Sequence, residues 1–226
     1  MPTPELIERL HQKLTTVRNL DKKLALFGAG SPSGHGYRVH TIVSDQIVAK
    51  EVELGFTLPE EYRDWLLRVG WGAGPDYGLL SLEKVFAPPY IDDEAGTGGE
   101  VENAAEITLA HIAAIQNKWE ATGANSALGI SVNSDQHLLI ISESGCGAYT
   151  CIVTYGPMRG KVFGLTAEIV EPQTALCALM PEGVYTWSRK ERGRSDLLVN
   201  PHRLFGFFDW YEDWLDRATA DFGRTL

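Results

Sequence analysis

The apolar pattern of the chain changes period at Gly123, and that change limits the folds open to it. Up to Gly123 the apolar residues return every three or four positions, the spacing of a helix face; beyond it, until the last helix, they alternate, the spacing of a strand. Leu6, Leu10, Leu14, Val17 and Leu20 make one stripe and predict a first helix, with Pro4 at its start, where a missing N–H costs nothing. The glycine-rich run Gly28–Gly34 ends it as a loop, and Tyr37 to Val43 reads as a short strand or part of that connection. Ser44-Asp45 caps a second helix, which carries Ile47, Val48 and Val52 and stops at Gly55. A third opens at Leu58-Pro59-Glu60-Glu61, turns Tyr62, Trp65, Leu66 and Val69 inward, and halts in Gly70-Trp71-Gly72-Ala73-Gly74-Pro75. From Glu102 a fourth carries Ile107, Ile112, Ile115 and Trp119 inward.

Past Gly123, strands are predicted at Ile130–Val132, His137–Ser142, Tyr149–Tyr155 and Lys161–Leu165, with turns at Ser134-Asp135, Gly145-Cys146-Gly147 and Gly156–Gly160. Residues 171–200 are harder to place: Val184–Trp187 has the character of another strand, and Arg189–Arg194 that of an exposed basic loop. The last helix offers Phe205, Phe208, Tyr211, Trp214 and Leu215 as an aromatic face for the sheet. No internal repeat or separating linker is visible. The expected fold class is α+β: a single domain with a central antiparallel meander of about four to six strands packed against helices, plus an N-terminal helix. Residues 1–43, the helix and its glycine-rich connection, are expected to pack on a main domain of residues 44–226.

Composition closes off several function classes. With 226 residues, 44% hydrophobic and 22% charged, the chain can bury a sizeable core without disulfide staples. Twenty Lys and Arg against 30 Asp and Glu leave a net charge of −10, which argues against direct nucleic-acid binding and against an anionic membrane surface. Cys146, Cys151 and Cys177 do not form a secreted disulfide pattern. Met1–Glu5 has no positive segment leading into an apolar one, and no apolar run reaches the length of a membrane span. A cytoplasmic protein is expected.

Motifs that carry chemistry fail on spacing or context. Gly28–Gly34 follows a helix, whereas a dinucleotide loop needs a strand before it and a helix after it. Gly160-Lys161 is followed by Val162, so the hydroxyl of a phosphate-binding loop is missing. Ser81-Leu82-Glu83-Lys84 fits an acyl-transfer pattern, but the simpler reading is a serine before one helical turn. His11, His35, His40, His111, His137 and His202 show no metal-ligand spacing, and Asp92-Asp93-Glu94 lacks the alternating order of a calcium loop. No cofactor, no metal and no catalytic set are expected.

One stretch resembles a known family. Glu53-Leu54-Gly55-Phe56-Thr57-Leu58-Pro59-Glu60-Glu61-Tyr62-Arg63-Asp64-Trp65-Leu66 is similar to the opening motif of the SUKH superfamily, the Smi/Knr-like group. The glycine-rich turn from Gly70, which in the family usually begins Asn-Gly, then Leu79–Val85, the strands from Ile130 to Tyr155 and Gly160–Phe163, and the closing helix Phe205–Leu215 follow in the family's order. The resemblance covers residues 44–217 and implies a single α+β domain without catalytic residues. Bacterial members are similar to immunity proteins that bind and neutralise a toxin, often a nuclease; others are regulatory or scaffold proteins. Leu54, Leu58, Pro59, Tyr62 and Trp65 are themselves explained by helix opening and core packing.

The expected function is therefore a non-enzymatic protein-binding module, an immunity protein with a cognate toxin domain as its partner. The alternatives are a regulatory or scaffold protein with no toxin partner and a small hydrolase using Cys146, His137 or Glu143. The partner surface is expected on the acidic segment, because residues 85–117 hold six acids and no base. Its residues are Asp92, Asp93, Glu94, Glu100 and Glu102, with Trp71 and Tyr90 as aromatic neighbours.

Overall fold

A computed structural model describes residues 3–32, 34–85, 100–123, 128–134, 136–171, 174–189 and 195–223. In chain order the elements are α1 (Pro4–Leu20), β1 (Val39–His40), α2 (Ser44–Leu54), α3 (Glu60–Arg68), β2 (Trp71–Gly72), β3 (Val101–Asn103), α4 (Leu109–Thr122), β4 (Ile130–Ser134), β5 (Leu138–Gly145), β6 (Ala148–Val153), β7 (Val162–Glu171), β8 (Thr174–Pro181), β9 (Tyr185–Arg189), β10 (Ser195–Val199) and α5 (Phe207–Gly223). The class is α+β, as expected, with an N-terminal helix and a six-stranded sheet.

The order in that sheet is β3-β4-β8-β7-β6-β5. The meander thus runs from β5 to β8, and β4 joins on the β8 side instead of leading into β5. Ile130 pairs with Leu179, and Val132 with Cys177, antiparallel. Strand β3 lies parallel to β4, which makes the sheet mixed. A two-residue turn at Cys146 and Gly147, with φ of 54° and 78°, closes the β5–β6 hairpin in the geometry that suits strand twist. Strand β5 does not alternate: Leu138 to Ser142 are all buried, so both its faces are covered.

The chain divides into two compact units: one of Met1–Phe86, Ile140–Thr150 and Gly206–Leu226, and another of Ala87–Leu139 and Cys151–Phe205. The first is built on aromatic packing among helices. Thr3 caps α1, its hydroxyl accepting from the Leu6 N–H at 3.3 Å. The buried stripe is Ile7, Leu10, Leu14 and Val17; Ile7 replaces Leu6, and Leu20 is 39% exposed. On α3, Tyr62, Trp65 and Leu66 are buried. Trp65 meets Tyr211 at 4.3 Å and Phe207 at 5.8 Å between ring centroids. The aromatic face of α5 packs on helices α1 and α3. Rigid rings fill a helix–helix interface with large area at little entropy cost.

Two carboxylates fix this unit's chain geometry. Asp21, 2% exposed, accepts from the Ala25 and Leu26 N–H groups at 2.6 and 3.0 Å and from the Tyr37 hydroxyl at 2.8 Å. Glu61, in the first turn of α3, accepts from the Phe208 N–H at 3.2 Å, so one carboxylate serves the starts of α3 and α5. A Cβ on Gly206 would come within 2.6 Å of that carboxylate, so Glu61 would have to shift from its place at the start of α5.

In the second unit, α4 begins at Thr108, whose N–H meets His111 Nδ1 at 3.1 Å, and ends on Gly123. Ile112 and Ile115 are buried, while Trp119 is only half-buried. The segment expected to open that helix, from Glu102, is instead strand β3 and one 3₁₀ turn. Strands β9 and β10 form a separate antiparallel pair.

Candidate functional site

The family-like motif resolves into structure. Leu58, Tyr62, Trp65 and Leu66 are at most 1% exposed, and Pro59 is the residue before the first turn of α3. Glu51, not singled out in the sequence, secures the approach: its carboxylate accepts from the Leu58 N–H at 2.9 Å and from Arg63 Nε at 3.2 Å. Motif residues therefore build the turn between α2 and α3.

Of the seven expected partner residues, Tyr90, Asp92, Asp93 and Glu94 lie outside the described residues. Glu100 and Glu102 belong to the second unit, beside and on β3. Glu100 is ion-paired with Lys118 of α4, the first base beyond the segment, so part of the expected field is cancelled there. The Glu102 N–H donates to Glu106 at 3.4 Å, and Asn103 Oδ1 accepts from the Ala105 N–H at 2.9 Å. These acids and amides shape the 3₁₀ turn as well as carrying charge.

Trp71 belongs to the first unit, on β2. It is half-buried and stacks on His40 of β1 at 4.3 Å and 22°. The pairing is tight because Gly70 and Gly72 have φ of 125° and 112°, and a Cβ at Gly70 would sit 2.0 Å from the His40 carbonyl oxygen. The ring lines two hollows. One, of 260 Å³, includes Thr41, Gln46, Lys50 and Leu82; Lys50 is 7% exposed and bonds Glu53 at 2.7 Å. The other, of 280 Å³, includes Arg38, His40, Tyr77, Lys84 and Glu143. The expected aromatic neighbour of an acidic patch thus has mixed company within its own unit: Lys50 with Glu53 and Glu83 in the first hollow, and Arg38 and Lys84 with Glu143 in the second. Sequence reading gave Arg38 no role and weighed His40 and Lys84 for chemistry only in motifs it rejected, because Lys84 is far along the chain from Arg38 and His40 and no local pattern links them.

His35 is enclosed in this unit, edge-on to Tyr37 at 5.0 Å and to Trp214 at 6.1 Å. Its Nδ1 accepts from the Tyr37 N–H at 2.9 Å. Burial drives its pKa down to about 4, with Asp21 acting in the opposite sense. Burial, with Asp21, pushes the Tyr37 hydroxyl up, and burial alone does the same to Tyr62 and Tyr211. These are core groups held neutral.

The hydrolase residues are placed differently from the expectation. His137 is not on a strand: it has φ of 69°, precedes β5 and lies against Tyr155 at 5.4 Å in the second unit. Glu143 and Cys146 are exposed in the first unit, at the end of β5 and in the hairpin turn. Cys151 is buried, its Sγ 3.4 Å from the Phe163 carbonyl oxygen. Ser81 accepts the Lys84 N–H on its carbonyl at 2.8 Å, in the turn expected for it. Among the described residues no three His, Cys, Asp or Glu side chains are placed to hold a metal ion, and no helix is long and apolar enough to cross a membrane.

No curated protein and no solved structure matches the chain. The model of the SMI1 / KNR4 family (SUKH-1) matches residues 42–173, from the residues before α2 through β7. That span is more than half of the chain, and it contains the opening motif, the glycine turn and the strands on which the resemblance rested: the chain belongs to the SMI1 / KNR4 family (SUKH-1).

Proposed function

We propose that this chain is a non-catalytic protein-binding module, an immunity protein that binds and neutralises a cognate bacterial toxin. Membership of the SUKH family carries the reading, since that family includes toxin immunity proteins and its members bind partner proteins. The placement of the motif agrees with it. Leu58, Tyr62 and Trp65 are core residues, so the motif here supports a scaffold, and partner choice falls to exposed surfaces. The acidic segment, with Glu100 and Glu102 at its described end, remains the proposed surface for a basic toxin; charge there speeds encounter and selects the partner.

The test starts from the gene neighbourhood: a polymorphic toxin gene beside this one is co-expressed with it, with a purified-complex assay alongside, and a neighbourhood without any toxin gene counts against immunity. Rescue of growth and a stable complex support the reading. Undiminished toxicity and no complex refute immunity for that pair, and a different captured protein with no toxin activity places the chain among regulatory or scaffold members.

A further inference from the structure

The first unit carries a surface whose charge opposes that of the chain. Arg9, Lys13, Lys50, Arg63 and Arg217 are all ion-paired with acids. Arg18, Arg38 and Lys84 have no ion pair among the described residues, and all three are exposed. A groove of 410 Å³ runs between α1 and β1, lined by His11, Thr15 and Arg18 on the helix and by Arg38, Val39 and His40 on the strand side. Among the described residues no Asp or Glu lines it. Arg38 and His40 also line the adjoining hollow with Trp71 and Lys84, where Glu143 is the one acid among the described residues.

The backbone adds a second and independent feature. Strand β1 pairs with β2 alone among the described residues. The Ala73 N–H bonds the Arg38 carbonyl at 2.8 Å, so the Arg38–Ala73 pair is a hydrogen-bonded one. In an antiparallel ladder such pairs alternate with pairs whose polar groups point outward. Gly72 follows that rule, exchanging bonds with Leu79 on its far side at 3.2 and 2.8 Å. Val39, opposite Gly72, therefore turns its N–H and C=O away from β2 on the open edge of β1. Such an edge is a template for one more strand.

We propose that the β1 edge and the groove beside it bind an extended acidic segment of a partner protein, which adds to β1 as a strand and sets its carboxylates against Arg18, Arg38 and Lys84. The half-buried Trp71–His40 stack supplies an apolar contact next to the cations, the combination on which binding energy concentrates. An acidic peptide fits better than nucleic acid, because a net charge of −10 repels a long polyanion at distance while leaving short-range pairing intact. This deepens the reading of the chain as a protein-binding module, on which it rests, and it names a surface separate from the acidic segment.

The probe is a short fluorescent peptide alternating Glu with Val, followed by anisotropy with the full chain. A Lys–Val peptide and a single-stranded oligonucleotide serve as comparators. The acidic peptide is expected to bind, to weaken as salt rises, and to lose about tenfold or more in affinity in Arg38→Glu and in the Arg18→Glu, Lys84→Glu double variant. Slowed hydrogen exchange at the Val39 amide in the bound state reads strand addition directly. Circular dichroism confirms that each variant is folded, and the two variants share no substitution, so one misfolded protein leaves the other informative. Equal binding of the Lys–Val peptide, unchanged affinity in folded variants, or tighter binding of the oligonucleotide overturns the proposal. So does a light-scattering shift from dimer to monomer on Arg38→Glu, which makes a second copy the occupant. If toxin neutralisation persists while the acidic peptide fails to bind, this surface is refuted and the module reading stands.

Discussion

Trp65 is 1% exposed and packs on Phe207, Phe208 and Tyr211; Trp71, just past the glycine that follows the same helix, is half-buried and stacks on His40. The first ring lies between its own helix, α3, and α5, which comes from far along the sequence. The second rests on a two-residue strand pair, with hollows on either side. The difference shows that aromatic character in this family motif region divides between holding the fold and presenting a surface. Helix geometry decides which: a residue on the inward face of α3 has no choice, while one beyond the helix stop is set by the close backbone approach of β1.

Substitutions can break this contrast at its strongest point first. Trp65→Ala is expected to cost about 3–5 kcal/mol, the usual loss for an enclosed aromatic, read from urea unfolding; a loss below about 1 kcal/mol would show that the ring is not part of a packed core. Gly70→Ala tests the other side, where φ of 125° and a Cβ 2.0 Å from the His40 carbonyl oxygen force the strand pair apart. A penalty of about 2 kcal/mol is expected there, together with loss of the acidic-peptide binding; retention of both would mean that β1 and β2 relax freely.

His35 links the enclosed region to pH. Its pKa is held at about 4, below the ordinary 6.5. As pH falls the unfolded chain takes up this proton first, so its contribution is complete above pH 6.5 and is lost as pH drops toward about 4. His35→Gln is expected to flatten the decline of unfolding free energy across that window, and identical slopes in the two proteins would contradict it. Tyr62→Phe sharpens the account of the core, since the Tyr62 hydroxyl is buried with no partner among the described residues. Its removal is expected to leave stability unchanged or to raise it by up to about 1 kcal/mol; a clear loss would reveal a bond to that oxygen. Trp71→Ala has the smallest expected effect on stability, under about 1 kcal/mol, while weakening the peptide complex. A stability loss as large as that of Trp65→Ala would erase the distinction between the two rings.

Local chemistry made much of this legible. Helix periodicity located α1 and α3, the glycine turn located the β5–β6 hairpin, and the motif located the core around Tyr62 and Trp65. Strand β8 escaped because Thr174-Ala-Leu-Cys-Ala-Leu-Met has little intrinsic strand character and is held by β4 on one side and β7 on the other. Strand β3 escaped for a similar reason: Val101-Glu102-Asn103 is extended through its parallel pairing with β4, a contact made across the intervening helix. The family was readable from its motif, but the basic groove was not. Arg18, Arg38 and Lys84 come from a helix end, a loop and a turn, and only tertiary structure makes them neighbours of one strand edge and its stack.

The carboxylate of Glu61 and the rings of α5 have a consequence for synthesis. The first unit needs Phe207, Tyr211 and Trp214 to cover residues made early, α1 and α3 among them. A ribosome adds roughly 5–20 residues per second, so Trp65 waits many seconds before its covering helix emerges. Through that interval the nascent chain carries an uncovered aromatic face, a site for chaperones and for premature association. Burial of Trp65 therefore waits for α5, and contacts of such long sequence separation form slowly.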